Sequence, residues 1–306
     1  MIKLASTAVL GLALLVSALG AQTDAPEKKA PAPPEAEKVL ARYVEAVGGE
    51  KALAAVESYR SELSIDFGEM LGVRPMSSFM KRRVLDAGTK AERVVWAYRA
   101  EVDLGPQMGK SVEGGDGVVH WASQPMMGTN VLEGAEAAAK ERAADPLVYL
   151  HWRRYYREIK TTGRAEIEIE EESTVGGKKV LKKTKRDCWV VKLTPHEGEA
   201  ETTWFDVENG LLHRALTIMP SSMGTLEMTF SSSDYRTIEG AAVKQPFRIV
   251  LSMKGLGPQV IRVTSVEANV PAREGELDFP AEVKKLLAKK ARQKAEKDAP
   301  EGGESK

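Results

Sequence analysis

Two periods of hydrophobic residues alternate along this chain. Ala36, Val39, Leu40, Tyr43, Val44 and Val47 recur at three- and four-residue intervals, the apolar stripe of a helix. Gly48-Gly49 follows as a stop signal, and Ala52, Leu53 and Val56 predict a short second helix. At Tyr59 the period falls to two. Tyr59, Ser61, Leu63, Ile65 and Phe67 alternate with Arg60, Glu62, Ser64 and Asp66, as in a strand with one dry face and one wet face. The alternation returns at Val94, Trp96, Tyr98 and Ala100, at Trp189, Val191 and Leu193, at Leu226, Met228 and Phe230, and at Phe247, Ile249 and Leu251. Val260 to Val270 predicts a long last strand. Glu208-Asn209-Gly210 predicts a hairpin turn between Thr202–Phe205 and Leu211–Ile218, and Glu239-Gly240 predicts the next.

One helical interruption breaks this pattern. Leu132 to Ala144 is rich in Ala and Glu. Asp145-Pro146 then reads as an N-cap and first helical position, and Val148, Trp152, Tyr155 and Ile159 continue at helical spacing. Roughly nine to eleven strands separated by turns rather than helices predict an antiparallel meander in one α+β domain.

The two ends differ from this body. Met1-Ile2-Lys3, the uncharged run Leu4 to Leu19 and the small residues Ala18 and Gly20 have the form of a secretory leader cut before Ala21. The alternative, an uncleaved anchor, needs about 20 apolar residues to span a bilayer. Residues 21–34, with Pro26, Pro31, Pro33 and Pro34, read as an unstructured linker. The folded domain is expected over 35–280. Residues 281–306 form a basic tail, in which Val283, Leu286 and Leu287 make a narrow apolar stripe among seven lysines and arginines from Lys284 to Lys297. Such a helix either touches anionic lipid head groups, the one membrane contact expected, or is a solvated tail.

Composition narrows the chemistry further. Lys+Arg and Asp+Glu are equal at 44 each, so no basic excess points to nucleic acid. The single cysteine, Cys188, lies in a strand-like run and reads as a half-buried small hydrophobe. None of His120, His151, His196 and His213 has zinc-ligand spacing with another. There is no nucleophile elbow and no phosphate loop. Glu166, Glu168, Glu170, Glu171 and Glu172 precede Lys178, Lys179, Lys182, Lys183 and Lys185. Cross-strand Glu–Lys pairs in a charged, solvated hairpin explain both runs better than a pair of catalytic acids. No catalytic residue, metal or cofactor is therefore expected.

The methionines carry more information. Met70, Met76, Met80, Met108, Met126, Met127, Met219, Met223, Met228 and Met253 fall mainly in loops or beside strand ends. Unbranched Met suits a surface that repacks around apolar ligands, though it also anchors ordinary loops to a core. Taken with the dry strand faces, this predicts an apolar lining of Leu63, Ile65, Phe67, Trp96, Tyr98, Trp189, Leu226, Met228, Phe230, Phe247 and Ile249.

Several stretches together resemble one family. Val39 to Val56 gives a helix, Gly48-Gly49 and a short helix before an alternating strand. Trp204-Phe205-Asp206 through Asn209-Gly210-Leu211-Leu212 gives an aromatic–Phe–Asp hairpin. Ser233-Asp234-Tyr235-Arg236 leads through Glu239-Gly240 to Pro246-Phe247-Arg248-Ile249, and Leu277-Asp278-Phe279-Pro280 closes the body. These motifs resemble secreted bacterial proteins of the LolA-like, outer-membrane lipoprotein-sorting type. The resemblance implies a large curved antiparallel sheet, an incomplete and half-open β-barrel, with helices on its concave side. It also implies an apolar interior that shelters acyl chains without catalysis. The charged hairpin Glu166–Lys185 and the basic tail depart from that compact pattern.

The expectation is thus a soluble periplasmic or otherwise secreted carrier of lipid, lipoprotein acyl chains or another apolar ligand. An envelope protein–protein interaction module without a cavity is the alternative. A hydrolase whose site assembles only in the fold is the third reading.

Overall fold

The computed structural model describes residues 33–297 except 70, 176, 177, 222, 223 and 255. The leader, most of the linker, the tail beyond 297, Met70 and Met223 lie outside the described residues.

Helix α1 (Ala36–Ala46) buries Ala36, Val39, Leu40 and Val44, the stripe read from its spacing. It stops at Gly48, whose φ of 130° disfavours any side chain. A Cβ at this position would lie 2.3 Å from the Ala242 carbonyl oxygen. The Val47 carbonyl accepts the Lys244 N–H at 2.8 Å, so glycine lets the helix end seat directly on a distant turn. Helix α2 (Gly49–Ala54) follows and buries Leu53.

The first run of strands is β1 (Ser58–Asp66), β2 (Val73–Leu85), β3 (Arg93–Asp103), β4 (Lys110–Gly115), β5 (His120–Gln124) and β6 (Gly128–Val131). Helices α3 (Gly134–Ala144) and α4 (Trp152–Tyr155) interrupt it. The second run is β7 (Tyr156–Val175), β8 (Lys178–Pro195), β9 (Glu201–Asp206), β10 (Leu212–Ser221), β11 (Gly224–Thr237), β12 (Lys244–Met253) and β13 (Leu256–Ala268). Helix α5 (Ala281–Lys297) ends the described chain.

All thirteen described strands form one antiparallel sheet in the order β6-β5-β4-β3-β2-β1-β13-β12-β11-β10-β9-β8-β7. The sheet is open, and its fold class is the α+β half-open barrel expected. It has more strands than the roughly nine to eleven expected, because short or strongly charged strands such as β2, β4 and β6 carry little period-two signal. A second correction concerns the helical insert. Only Trp152–Tyr155 is helical after α3, and Ile159 lies on β7 opposite Leu193. Apolar residues at 152, 155 and 159 satisfy helical spacing, but tertiary pairing with β8 overrides it. In β3, Val95, Trp96, Ala97 and Tyr98 are all buried, so this strand is covered on both faces rather than alternating.

The faces divide the packing. On the inner face, Tyr59, Trp96, Tyr98, Val266 and Ala268 pack with Val44, Val47, Leu53 and Val56 of the helical hairpin. Farther along, Val191, Leu193 and Phe205 pack with Val39, Leu40 and Tyr155. The rings of Tyr43, Tyr149 and Phe205 fill the space beneath α1, with centroids 5.2–5.6 Å apart in edge-to-face contacts.

The charged hairpin β7–β8 folds over the outer face, as the corner of a twisted sheet can. Arg214 and Arg248 donate to the Glu168 and Glu170 carbonyls at 3.0 and 3.4 Å. The expected Glu–Lys pairs form at Glu166–Lys185 and Glu168–Lys183. Glu170, Glu171 and Glu172 instead pair with Arg248, Arg186 and Arg262. Ile167 and Ile169 are buried with Cys188 and beside Trp204, so one side of this hairpin is core rather than a solvated face.

The basic tail is not free along its described length. Helix α5 packs against β6, the strand at one end of the sheet. Val283 is fully buried, Thr129 bonds Glu282 at 2.6 Å, and Lys290 pairs with Glu133 at 2.6 Å. The substitution Val283→Asp is expected to cost about 2–4 kcal/mol, by burying an unpaired charge. It should also promote self-association through the uncovered β6. Thermal melts and gel filtration check both outcomes.

Candidate functional site: an apolar wall on the inner face

The helices cover only part of the inner face. Beyond them, cross-strand register aligns apolar residues from both runs of strands. Ile65 on β1 faces Ile261 on β13, which faces Ile249 on β12. Leu63 faces Val263 on one side and Met76 on the other, and Met76 faces Val102. Phe230 on β11 lies between Ala215 and Leu251, and Met228 faces Met253. A bulge at Thr264 moves β13 by one residue, which keeps Val266, Val263 and Ile261 on the same inner face. Ile65 is buried, whereas Leu63, Met76, Val263, Ile261, Phe247, Ile249, Leu251, Phe230 and Met228 are half-buried. The result is a contiguous apolar wall with part of its surface open.

The structure brings Leu63, Ile65, Leu226, Met228, Phe230 and Ile249 of the expected lining onto this wall, and Phe247, two residues before Ile249 on β12, joins it to the core of the helical hairpin. It separates the other four. Trp96 and Tyr98 are buried in the core with the helical hairpin, and Tyr59 stacks on Trp96 at 5.8 Å. Trp189 packs against the cluster under α1. Phe67 lies beyond β1 in the following turn, where its N–H donates to Gly72. Ile261 and Val263 were not named from sequence, although both sit in the run read as the last strand, and only its pairing with β1 reveals their face.

Of the methionines, Met126 and Met127 are the most exposed large apolar side chains among the described residues, at 88% and 62%. They occupy the β5–β6 turn. Met76, Met228 and Met253 belong to the wall and Met108 to the β3–β4 turn, so the methionines are divided between loops and the inner face.

The polar clusters lie elsewhere. A cleft of about 420 Å³ on the outer face is lined by Arg60, Phe79, Arg99, Glu101 and Glu276, and the Arg60–Glu276 ion pair of 2.6 Å closes one side. His213 Nε2 lies 3.3 Å from the Asp206 carboxylate, with the two side chains 4% and 2% exposed. Asp206 Oδ1 accepts the N–H groups of Glu208 and Asn209, and His213 Nδ1 contacts the Ser232 carbonyl. The pair thus organises the Asn-Gly hairpin from inside rather than opening onto a cleft. The hairpin motif held the signal for it, since pairing the strands around Asn209-Gly210 brings positions 206 and 213 together. His120 is buried against Tyr98, and burial lowers its pKa. Among the described residues, no three His, Cys, Asp or Glu side chains converge to hold a metal. No described helix is long and apolar enough to cross a membrane.

With this geometry in place, comparison with solved structures is informative. The crystal structure of a DUF1329 family protein from Desulfovibrio piger superposes with a TM-score of 0.50 at 13% identity, covering 80% of this chain and 98% of that one. The fold is that of this DUF1329 family protein. A LolA superfamily protein from Nitrosomonas europaea aligns at 12% identity over 79% of this chain and 97% of that chain, with a TM-score of 0.43. At such identities the likeness is one of architecture. No protein-family model matches the chain, and no curated relative does.

Cys188 tests the packing beneath the charged hairpin, where it lies with Ile167 and Ile169. It is fully buried, and burial followed by the nearby Asp206 and Asp187 carboxylates pushes its thiol up to about 12. In the native protein at about pH 8 a water-soluble disulfide reagent should leave this thiol unmodified, against rapid labelling of an ordinary exposed cysteine. In denaturant it should react fully. The absorbance of the released thiolate measures both.

Proposed function

We propose that this protein is a non-catalytic carrier or chaperone for an apolar ligand, with acyl chains of lipid or lipoprotein as the cargo class. The observation that carries this reading is the half-open wall of Leu63, Ile65, Ile261, Ile249, Phe230 and Leu251 on the helix-bearing face of an unclosed sheet. Apolar surface of this kind is stabilised by removal from water, at about 25 cal/mol per Å². A ligand chain laid on it gains that term without any polar chemistry. The leader-like residues Met1–Gly20 place the protein outside the cytoplasm in this reading, with residues 21–34 as a linker, 35–280 as the binding body and 281–306 as a basic tail.

A second reading has its own support. The aromatic packing of Tyr43, Tyr149 and Phe205 fills the inner face beneath α1, as an interaction module without a cavity would require. In that reading the exposed part of the wall docks an envelope protein.

Native mass spectrometry of the protein purified from its own envelope separates the two. The carrier reading expects co-purifying lipid and uptake of a fluorescent fatty acid. Ile249→Asp should reduce that uptake at least about tenfold, since a charge on the wall costs more than 1.4 kcal/mol against an acyl chain. Absence of both lipid and uptake would sink the carrier reading and leave the docking module.

A further inference from the structure

Among the described residues, five arginines have a buried Nε without a hydrogen-bond partner: Arg60, Arg74, Arg186, Arg214 and Arg248. Four of them engage another guanidinium nitrogen. Arg60 reaches Glu276 at 2.6 Å, Arg186 reaches Glu171 at 2.7 Å, Arg214 reaches the Glu168 carbonyl at 3.0 Å, and Arg248 reaches the Glu170 carboxylate at 2.8 Å. Arg74 has no such partner among the described residues.

Its position gives this a meaning. Arg74 pairs across the sheet with Ile65, so it stands on the inner face at the end of the row Ile65–Ile261–Ile249. The guanidinium lies over Gly105 in the β3–β4 turn. A Cβ on Gly105 would come within 2.9 Å of Arg74 Nη1 and 3.2 Å of its Cζ. Gly105, whose φ of 94° itself favours glycine, leaves the guanidinium resting directly on the turn. In the adjoining turns Asp66 accepts the Gly68 N–H at 2.9 Å and Asp103 accepts the Gly105 N–H at 2.8 Å, and neither they nor the exposed Glu69 pairs with Arg74. Its buried Nε has no acceptor, which is unfavourable in a way that an aliphatic side chain at the same place would not be, and its two Nη atoms stay open to an incoming group. An anion delivered to it would form charge-assisted, potentially bidentate hydrogen bonds.

We propose that Arg74 is the headgroup site of the apolar wall, and that the ligand is an anionic amphiphile. Its carboxylate or phosphate sits on the Arg74 guanidinium, and its chain runs past the buried Ile65 over the half-buried Ile261 and Ile249. Three strand spacings separate Arg74 from Ile249, about 14 Å, which suits an extended alkyl chain. This inference rests on the carrier reading and narrows it to a ligand class.

The test uses three probes of one chain length: laurate, dodecyl phosphate and dodecanol, each titrated into the full chain at low salt. At least one anion should bind about tenfold or more tightly than dodecanol, a difference of the size expected for a charge-assisted pair. The stronger of the two identifies carboxylate or phosphate as the headgroup. Arg74→Gln should bring the anions and dodecanol to similar affinities, chiefly by weakening the anions. Arg74→Lys, which keeps the charge but not the planar fork, should retain part of the preference. Because Arg74 has no ion pair to lose, Arg74→Gln should keep the parent melting temperature. Equal affinities in the parent chain, or a preference that survives Arg74→Gln, overturns the headgroup site and leaves the carrier reading standing. Failure of all three probes to bind overturns both.

Discussion

The antiparallel ladder between β1 and β13 is the junction on which the rest of the molecule depends. Strands β1–β6 form one local meander and β7–β13 another, and within each the neighbours in space are neighbours in sequence. Pairing from Tyr59–Ala268 to Asp66–Val260 joins the two. It closes a loop of roughly 200 residues, whose entropic cost rises only logarithmically with length. Local bonds lock its end. Ser58 Oγ donates to the Val270 carbonyl at 2.6 Å, the Glu57 N–H reaches Asn269 Oδ1 at 2.8 Å, and the Asn269 N–H returns to Ser58 at 2.9 Å. The apolar wall straddles this seam, with Leu63, Ile65, Met76 and Arg74 from one meander and Ile261, Ile249 and Phe230 from the other. Neither meander carries the wall alone.

The division of the inner face into a filled part and an open part follows from where α1 lies. Its first half packs on Tyr156, Val191, Leu193 and Phe205 of β7, β8 and β9, and its end, with Val44 and Val47, reaches Val243, Val266 and Ala268. The helix thus crosses the strands near one end and leaves their other ends to the wall. Tyr43, Tyr149 and Phe205 fill the covered part, and aliphatic residues, methionines, Phe230 and Phe247 make up the remainder. The ends of the sheet are handled differently. Helix α5 packs against β6, and the far half of β7 is held by arginines from β10 and β12. The charged hairpin and helix α5 thus both serve to cover sheet surface.

Much of the fold was legible because its signals are local. The helical stripe ending at Gly48-Gly49, the Asn209-Gly210 turn and the alternation in β1, β11 and β12 each depend on residues a few positions apart. Ile159 shows where that logic fails. Its spacing from Trp152 and Tyr155 satisfies a helix, yet Leu193 on β8 offers a strand partner, and a long-range ladder outweighs a weak local preference. The candidate site was half legible. Six of its expected residues share the wall and Phe247 joins it to the core, but Trp96 and Tyr98, chosen for the same alternation, lie under the helices. Period two reports that a residue points to one face and does not report what covers that face.

The sequence by itself determined the antiparallel meanders, the opening helical hairpin and the absence of familiar catalytic motifs, because all of these are written in spacings within one element or one turn. Only the tertiary structure decided which dry faces are buried by helices and which remain open. It also decided that Asp206 meets His213, that Val283 anchors the basic tail, and that Arg74 stands beside Ile65 without an acceptor. These depend on the β1–β13 register and on the reach of α1, α2 and α5. Both are properties of residues far apart in the chain, whose meeting leaves no periodic trace in it.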